Sequence, residues 1–314
     1  MKSIKSSIVE LFVEDSFLKE KDFSMTSLAP LIVRWVMHWQ GIRSDPSVTQ
    51  LVRVLFGPSY SLLCAGAGPV LLATRVADWL AAPPSETTLA SMLSDRTLFF
   101  DKALTRALES IEQVVILGAG FDTRLFMLRQ NQGLDLFEVD RIETQAVKKQ
   151  ALEKCGINFD EVHFVAVNFA DEDWMQVLIS NGFNPEKRTF FLWEGVTYYL
   201  TKAEVEKGFA VIDECCGDGS AIAFDFFSEA LVTGKGAASL GTAALDLIGE
   251  PLRFGLDVSE GVRAGLADII ADTGLVLDEL QTIDTWIGEK SRPAFGSISR
   301  HVLGGFAIFR KNRK

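Results

Sequence analysis

Residues 113–128 read QVVILGAGFDTRLFML, an apolar run that ends in Gly118-Ala119-Gly120 and passes into a helical pattern. Glycines at such a bend let the backbone turn tightly and approach a ligand where a Cβ would collide. A second apolar run, LDLFEV, closes on Asp140. That acid stands about twenty residues further on, the place from which a carboxylate reaches ribose hydroxyls in nucleotide-binding sheets. Glu138, two residues earlier, points to the same side of that strand and is the rival candidate. A glycine turn alone also serves simple packing. Strand, turn, helix, strand and acid in succession point to a nucleoside-containing ligand.

The residues after the turn narrow the choice. A dinucleotide site calls for a third small residue three places after the second glycine, so that the helix N-terminus can hold pyrophosphate. Thr123 occupies that place and Asp122 precedes it. A carboxylate at a helix start repels pyrophosphate and tolerates a cationic or zwitterionic ligand. S-adenosylmethionine, with a sulfonium, an ammonium and no phosphate, meets those terms better than NAD.

These residues need a sheet to carry them. Short apolar runs at 113–117, 134–139, 162–167, 189–193 and 221–226 alternate with helical patterns at 123–129, 142–155, 172–181 and 202–215. Such alternation predicts right-handed βαβ crossovers and a doubly wound, mostly parallel sheet. The tail predicts a helix over 255–273 and strands over 275–282 and 301–309, the last two as an antiparallel pair at the sheet edge. Before residue 110 the spacing is helical, at 28–39, 48–56, 71–80 and 89–110. The expected division is a helical cap over 1–110 and a ligand-binding domain over 111–314.

Composition excludes several classes. Of 314 residues, 48% are hydrophobic and 23% charged, a globular balance. A net charge of −11 repels a phosphate backbone, so nucleic acid is not an expected partner. Three histidines without ligand spacing speak against a His-rich metal site. Cys64, Cys155, Cys215 and Cys216 follow no C-x-x-C pattern and read as reduced thiols of a cytoplasmic protein. The stretch 53–75 is uncharged between its two arginines and about long enough to span a membrane. Gly57, Pro58, Gly66, Gly68 and Pro69 break it, so buried turns and short helices are expected instead. The basic N-terminus lacks a long apolar core and a cleavage site, and is not expected to be a secretory signal.

Several linked motifs stand in order: RTLFFDKAL, VVILGAGFDTR, LFEVD, NPEKRTFFLWEGVTYYL and GSAIAFDFF. In these the chain resembles the leucine carboxyl methyltransferase family, in its bacterial branch of S-adenosylmethionine-dependent O-methyltransferases associated with secondary metabolism. The resemblance runs from about residue 24 onward and implies a class I methyltransferase, Rossmann-like sheet of seven strands. It implies that Arg96 pairs with the methionine carboxylate, as a guanidinium fork suits. The alternative for Arg96 is a solvated helix charge. Gly118, Ala119 and Gly120 would underlie the methionine and ribose, and Asp140 would accept the ribose hydroxyls. Asn168-Phe169 stands where the family has Asp-Leu at the adenine edge. The asparagine oxygen can still accept from an amino group, without the charge. Glu194, at the end of the TFFLW run, would take the ammonium or shape the transfer site.

The acceptor is less defined. A carboxylate acceptor is ionised at neutral pH, whereas a hydroxyl needs its proton removed by a nearby side chain. Tyr198 is the candidate to orient an acceptor, with Tyr199 beside it; aromatic packing is the competing role for both. His38, His163 and His301 read as structural, and Arg292 as a distant possibility for guiding a carboxylate. The Gly- and Ala-rich segment 228–253 reads as a lid. The expected activity is methyl transfer to an oxygen of a small molecule. A protein C-terminal carboxylate, an NAD(P)-dependent oxidoreduction and an inactive cofactor-binding protein are the alternatives. Nothing in the sequence sets the oligomeric state.

Overall fold

A computed structural model describes residues 17–18, 23–61, 64, 89–128, 133–169, 173–233, 251–286 and 300–312. The chain forms two compact units and passes between them more than once, one of these passages being the Ala119–Gly120 bond.

The first unit takes in the described residues before 84 together with 120–130 and 142–160. Helix α1 (Leu28–Trp39) buries Leu28, Leu31 and Trp35, one stripe at helical spacing. Helix α2 (Pro46–Phe56) opens on Asp45, whose side chain accepts from the Val48 N–H at 3.1 Å, and buries Val48, Leu51, Val52 and Leu55. It packs against α1 and against a later helix of the same unit, Ile142–Cys155. His38 is structural here: its Nδ1 accepts from the Asp45 N–H at 3.0 Å. The expected helix over 71–80 lies outside the described residues, as does most of the 53–75 stretch beyond residue 61.

The second unit holds the sheet. Helix α3 (Leu89–Ala107) precedes β1 (Gln113–Leu117), which leads through the glycine turn to α4 (Arg124–Leu128) of the first unit. Next come β2 (Asp135–Asp140), α5 (Ile142–Cys155) of the first unit, β3 (Val162–Ala166), α6 (Trp174–Ser180), β4 (Thr189–Trp193) and α7 (Lys202–Cys215). Then follow β5 (Ala221–Phe227), α8 (Glu229–Val232), α9 (Val262–Asp268), β6 (Leu275–Trp286) and β7 (Arg300–Lys311). The seven strands lie in the order β3-β2-β1-β4-β5-β7-β6, with β7 alone reversed, antiparallel to both its neighbours. This is the mostly parallel, doubly wound sheet that the alternation predicts, and the late antiparallel pair sits at its edge.

Every residue of β1 and β4 is buried, as continuous apolar runs require of strands covered on both faces. Alternation then sorts the side chains. Val115, Leu117, Phe191, Trp193, Phe224 and Phe226 share one core with α6, α7 and α9. The opposite parity faces α3, whose Phe99 ring lies 5.4 Å from that of Phe306.

The tail differs from expectation in one place. A helix was expected over 255–273, but it spans only Val262–Asp268. Upstream, Leu256 is extended beside β5: its N–H donates to Phe227 O at 2.8 Å, and it forms a parallel bridge to Ser228. Phe254 and Leu256 thereby reach the core, and Asp257 closes a turn by accepting from the Ser259 N–H. Core burial outweighs helical spacing there. The bulk of the expected lid, 234–250, lies outside the described residues. Just downstream of it the chain is held by Leu256 on β5 and by the Arg253 N–H donating to Tyr198 O at 2.7 Å.

Candidate functional site

The parallel strands all end on one edge, and their order fixes what stands beside what. From β3 to β5 that edge carries Asn168, Asp140, Gly118 with Ala119, Glu194 and Asp225. The reversal of strand order lies between β1 and β4, where open α/β sheets bind ligands.

At the turn, the Gly118 and Ala119 N–H groups both donate to Val139 O, at 2.7 and 3.1 Å. Gly118 has φ +66°, and a Cβ there would stand 2.3 Å from Val196 Cγ2, so only glycine fits. Gly120 is also left-handed, at φ +47°. Asp140 closes β2 half-buried; its Oδ1 accepts from the Arg141 N–H at 2.7 Å, and its carbonyl from the Val167 N–H at 2.9 Å. Glu138 is wholly buried, one alternation deeper in the strand. Between the two rivals the later acid is the one at the edge. Asn168 is exposed at the end of the β3 segment, and the half-buried Phe169 sets its ring edge-on to Trp174 at 6.1 Å.

The other half of the edge is a buried charge cluster. β4 pairs with β5 through Trp193↔Phe224, so Glu194 and Asp225 stand side by side on the α3 face. Arg96 of α3 reaches both. Its Nε lies 3.1 Å from Glu194 Oε1, and its Nη1 lies 3.1 Å from Asp225 Oδ2 and 3.0 Å from the Tyr198 hydroxyl. Arg96 is 3% exposed, which excludes a solvated helix charge. Desolvation opposes its charge, but Tyr198, Glu194 and Asp225 together hold it more firmly protonated than an ordinary arginine. Burial, with Glu194 close by, raises the Asp225 carboxyl above the usual range, although Arg96 and the Gly195 N–H pull it down.

Tyr198, in the 3₁₀ turn Thr197–Tyr199, stacks on Phe227 with ring centroids 4.3 Å apart. Burial and the nearby Asp225 push its phenol well above the ordinary value. It stays protonated near neutral pH and can orient or donate, but not take a proton. Tyr199 packs edge-on against it at 4.8 Å. His163 is exposed on β3 and stacks on its cross-strand neighbour Phe137 at 4.9 Å. Arg292 lies outside the described residues, and nothing is described of the His301 side chain.

Asp122 has a different role from the one its sequence position suggests. It does not present a bare carboxylate at a helix start. It is buried in the first unit between Arg124 Nη1 at 2.6 Å and Arg34 Nη1 at 3.0 Å. Desolvation works against its charge, yet Arg124, Arg34 and Lys148 hold it well below the ordinary carboxylate range. Its charge is thus already balanced and repels nothing. Thr123 is also committed, its hydroxyl donating to Asp45. The residue that sequence reasoning missed is Asp225. An acid of the right parity at the carboxyl end of a buried strand, in AIAFDFF, was the available signal.

Among the described residues, no cluster of His, Cys, Asp and Glu could hold a metal ion, and no helix is long and apolar enough to cross a membrane. All four cysteines are free, and burial pushes the Cys216 thiol up to about 12.

Fold and edge together define a class I, Rossmann-like α/β protein with its candidate site at the switch point of the sheet. Residues 68–213 match the model of the leucine carboxyl methyltransferase family. Over 140 residues the chain is 36% identical to a protein of Parafrankia sp. (strain EAN1pec) provisionally named an S-adenosyl-L-methionine-dependent methyltransferase, covering 42% of this chain and 43% of that one. A relative in Mycobacterium marinum with the same provisional name is 33% identical over 195 residues, 59% of this chain and 61% of its own. The chain thus spans less than two thirds of the length of each of these relatives. A solved S-adenosylmethionine-dependent methyltransferase from Anabaena variabilis is similar at a TM-score of 0.46 and 9% identity, covering 69% of this chain and 85% of that one.

Proposed function

We propose that the protein is an S-adenosylmethionine-dependent methyltransferase that modifies a carboxylate or hydroxyl oxygen of a small molecule. The observation that carries this reading is the order of groups along the strand edge. An amide and an aromatic ring at β3, a carboxylate at β2, a glycine turn after β1 and a buried guanidinium–carboxylate cluster at β4 and β5 follow the order of adenine, ribose and amino-acid head in that cofactor. The family match and the names of the relatives support the same cofactor.

In this reading Asn168 and Phe169 hold the adenine edge and Asp140 the ribose hydroxyls. Gly118, Ala119 and Gly120 let the backbone pass beneath. Arg96 takes the methionine carboxylate and Glu194 the ammonium. Bound S-adenosylmethionine supplies a methyl group on a sulfonium, and the transfer cancels that positive charge. The protein aligns the acceptor oxygen and keeps water away; such orientation contributes about 7–11 kcal/mol. Tyr198 serves as an orienting donor near the acceptor. Residues 1–110 and the lid 228–253 choose the acceptor.

Isothermal titration with S-adenosylhomocysteine and with NADH tests the reading. Wild type is expected to bind the first and not the second, and Asp140→Ala to weaken binding about tenfold or more through loss of charged hydrogen bonds. Binding of NADH alone would replace this reading with a dehydrogenase. Titration without turnover over a broad panel of carboxylates, phenols and alcohols would instead favour a cofactor-binding protein.

A further inference from the structure

Asp225 carries no expected role, yet both of its carboxylate oxygens are committed to groups of the candidate site. Oδ2 accepts from Arg96 Nη1 at 3.1 Å, and Oδ1 accepts from the Gly195 N–H at 2.8 Å. Its carbonyl oxygen accepts from the Thr197 hydroxyl at 2.5 Å. The residue is 3% exposed, between Phe224 and Phe226 on a strand that is otherwise apolar. A charge in such a place is costly, and an apolar side chain of similar size would serve stability as well or better.

The partners explain the choice. Gly195 follows Glu194 directly and has φ +78°, so holding its N–H fixes the turn that aims the Glu194 carboxylate at Arg96. Arg96 comes from α3, far away in sequence, and without an anchor its long side chain has several rotamers open to it. One carboxylate thus ties the helix-borne cation to the strand-borne anion.

We propose that Asp225 is a positioning residue that locks the Arg96 fork and the Glu194–Gly195 turn together, and so governs recognition of the ligand's amino-acid head. This rests on the reading of Arg96 and Glu194 as cofactor groups. Asp225 acts through those neighbours and need not touch the ligand.

Two ligands separate this role from a general structural one: S-adenosylhomocysteine, and 5′-methylthioadenosine, which keeps the nucleoside thioether and lacks the amino-acid head. Both are titrated into the full chain as wild type, Asp225→Asn and Asp225→Glu. The asparagine keeps an acceptor for Gly195 and loses the charge that holds Arg96. It is expected to weaken S-adenosylhomocysteine about tenfold or more while methylthioadenosine changes less than about twofold. Asp225→Glu keeps the charge one methylene out of place and is expected to give an intermediate ratio; it also answers the question if the asparagine variant does not fold. An unchanged ratio of the two affinities overturns the proposal, as does an equal loss of both accompanied by a lowered melting temperature. Wild type that binds no S-adenosylhomocysteine would defeat the cofactor reading itself. Wild type that binds it, with the ratio unmoved in both variants, defeats the role of Asp225 alone.

Discussion

The Tyr198 phenol oxygen accepts a hydrogen bond from Arg96 Nη1 across 3.0 Å, with both groups buried. That bond uses an oxygen lone pair and leaves the phenol proton free to point at something else. Because burial and Asp225 keep the phenol protonated, the proton can be shared but not surrendered. Tyr198→Phe keeps the ring on Phe227 and removes the donor. Turnover is expected to fall about tenfold, by the same factor at about pH 6.5 and about pH 8.5. A pH–rate profile that loses an ionisation in the variant would make Tyr198 a base instead.

Two buried carboxylates should bend the stability curve in opposite directions. The folded pKa of Asp122 is depressed, so its contribution is complete above the ordinary carboxylate pKa of about 4 and is lost as the pH falls. Asp122→Asn breaks a buried pair and is expected to cost about 3 kcal/mol near neutral pH. That deficit shrinks on acidification. The folded pKa of Asp225 is raised, so ionising it penalises the folded state increasingly as the pH rises from about 4. The stability of Asp225→Asn relative to wild type is therefore expected to improve as the pH rises. Urea denaturation at several pH values measures both slopes, and parallel slopes would contradict the assignment of opposite shifts.

The glycine turn offers a two-part test. Gly118→Ala places a methyl 2.3 Å from Val196 Cγ2 and forces alanine to φ +66°. The left-handed conformation alone costs about 1–2 kcal/mol, and the clash adds to it. Adding Val196→Ala removes the clashing methyl and leaves the conformational cost. The double variant is expected to recover part of the lost melting temperature, and with it part of the S-adenosylhomocysteine affinity. A double variant no more stable than Gly118→Ala would show that Val196 is not the obstacle.

What the sequence discloses follows from how local the determinants are. β1, β4, α5 and α7 can be drawn from apolar runs and helical spacing because each run is bounded by its own turns and charges. The helix expected over 255–273 fails because Leu256 is claimed by β5, a partner distant in the chain. The site divides in the same way. Gly118 and Asp140 announce themselves by their place at strand ends. The Arg96–Glu194–Asp225 cluster depends on β4 and β5 lying in register, which no local pattern encodes. Asp122 is misleading for the same reason: Arg34, which balances it, lies far upstream in α1.

Within the candidate site Asn168 departs from the pattern of the family that the chain resembles, and its consequence can be measured. It sits exposed at the end of the β3 segment, next to the Val167 N–H that bonds Asp140 O. A neutral amide oxygen that accepts from an adenine amino group makes about half as strong a bond as a carboxylate. Asn168→Asp should thus tighten S-adenosylhomocysteine, by about threefold to tenfold, with little change in melting temperature because the position is exposed. An inosine-based analogue, which lacks the amino group, should gain nothing. Equal gains for both ligands would mean that the added charge acts through the general field of the site, and residue 168 would then not read the adenine edge.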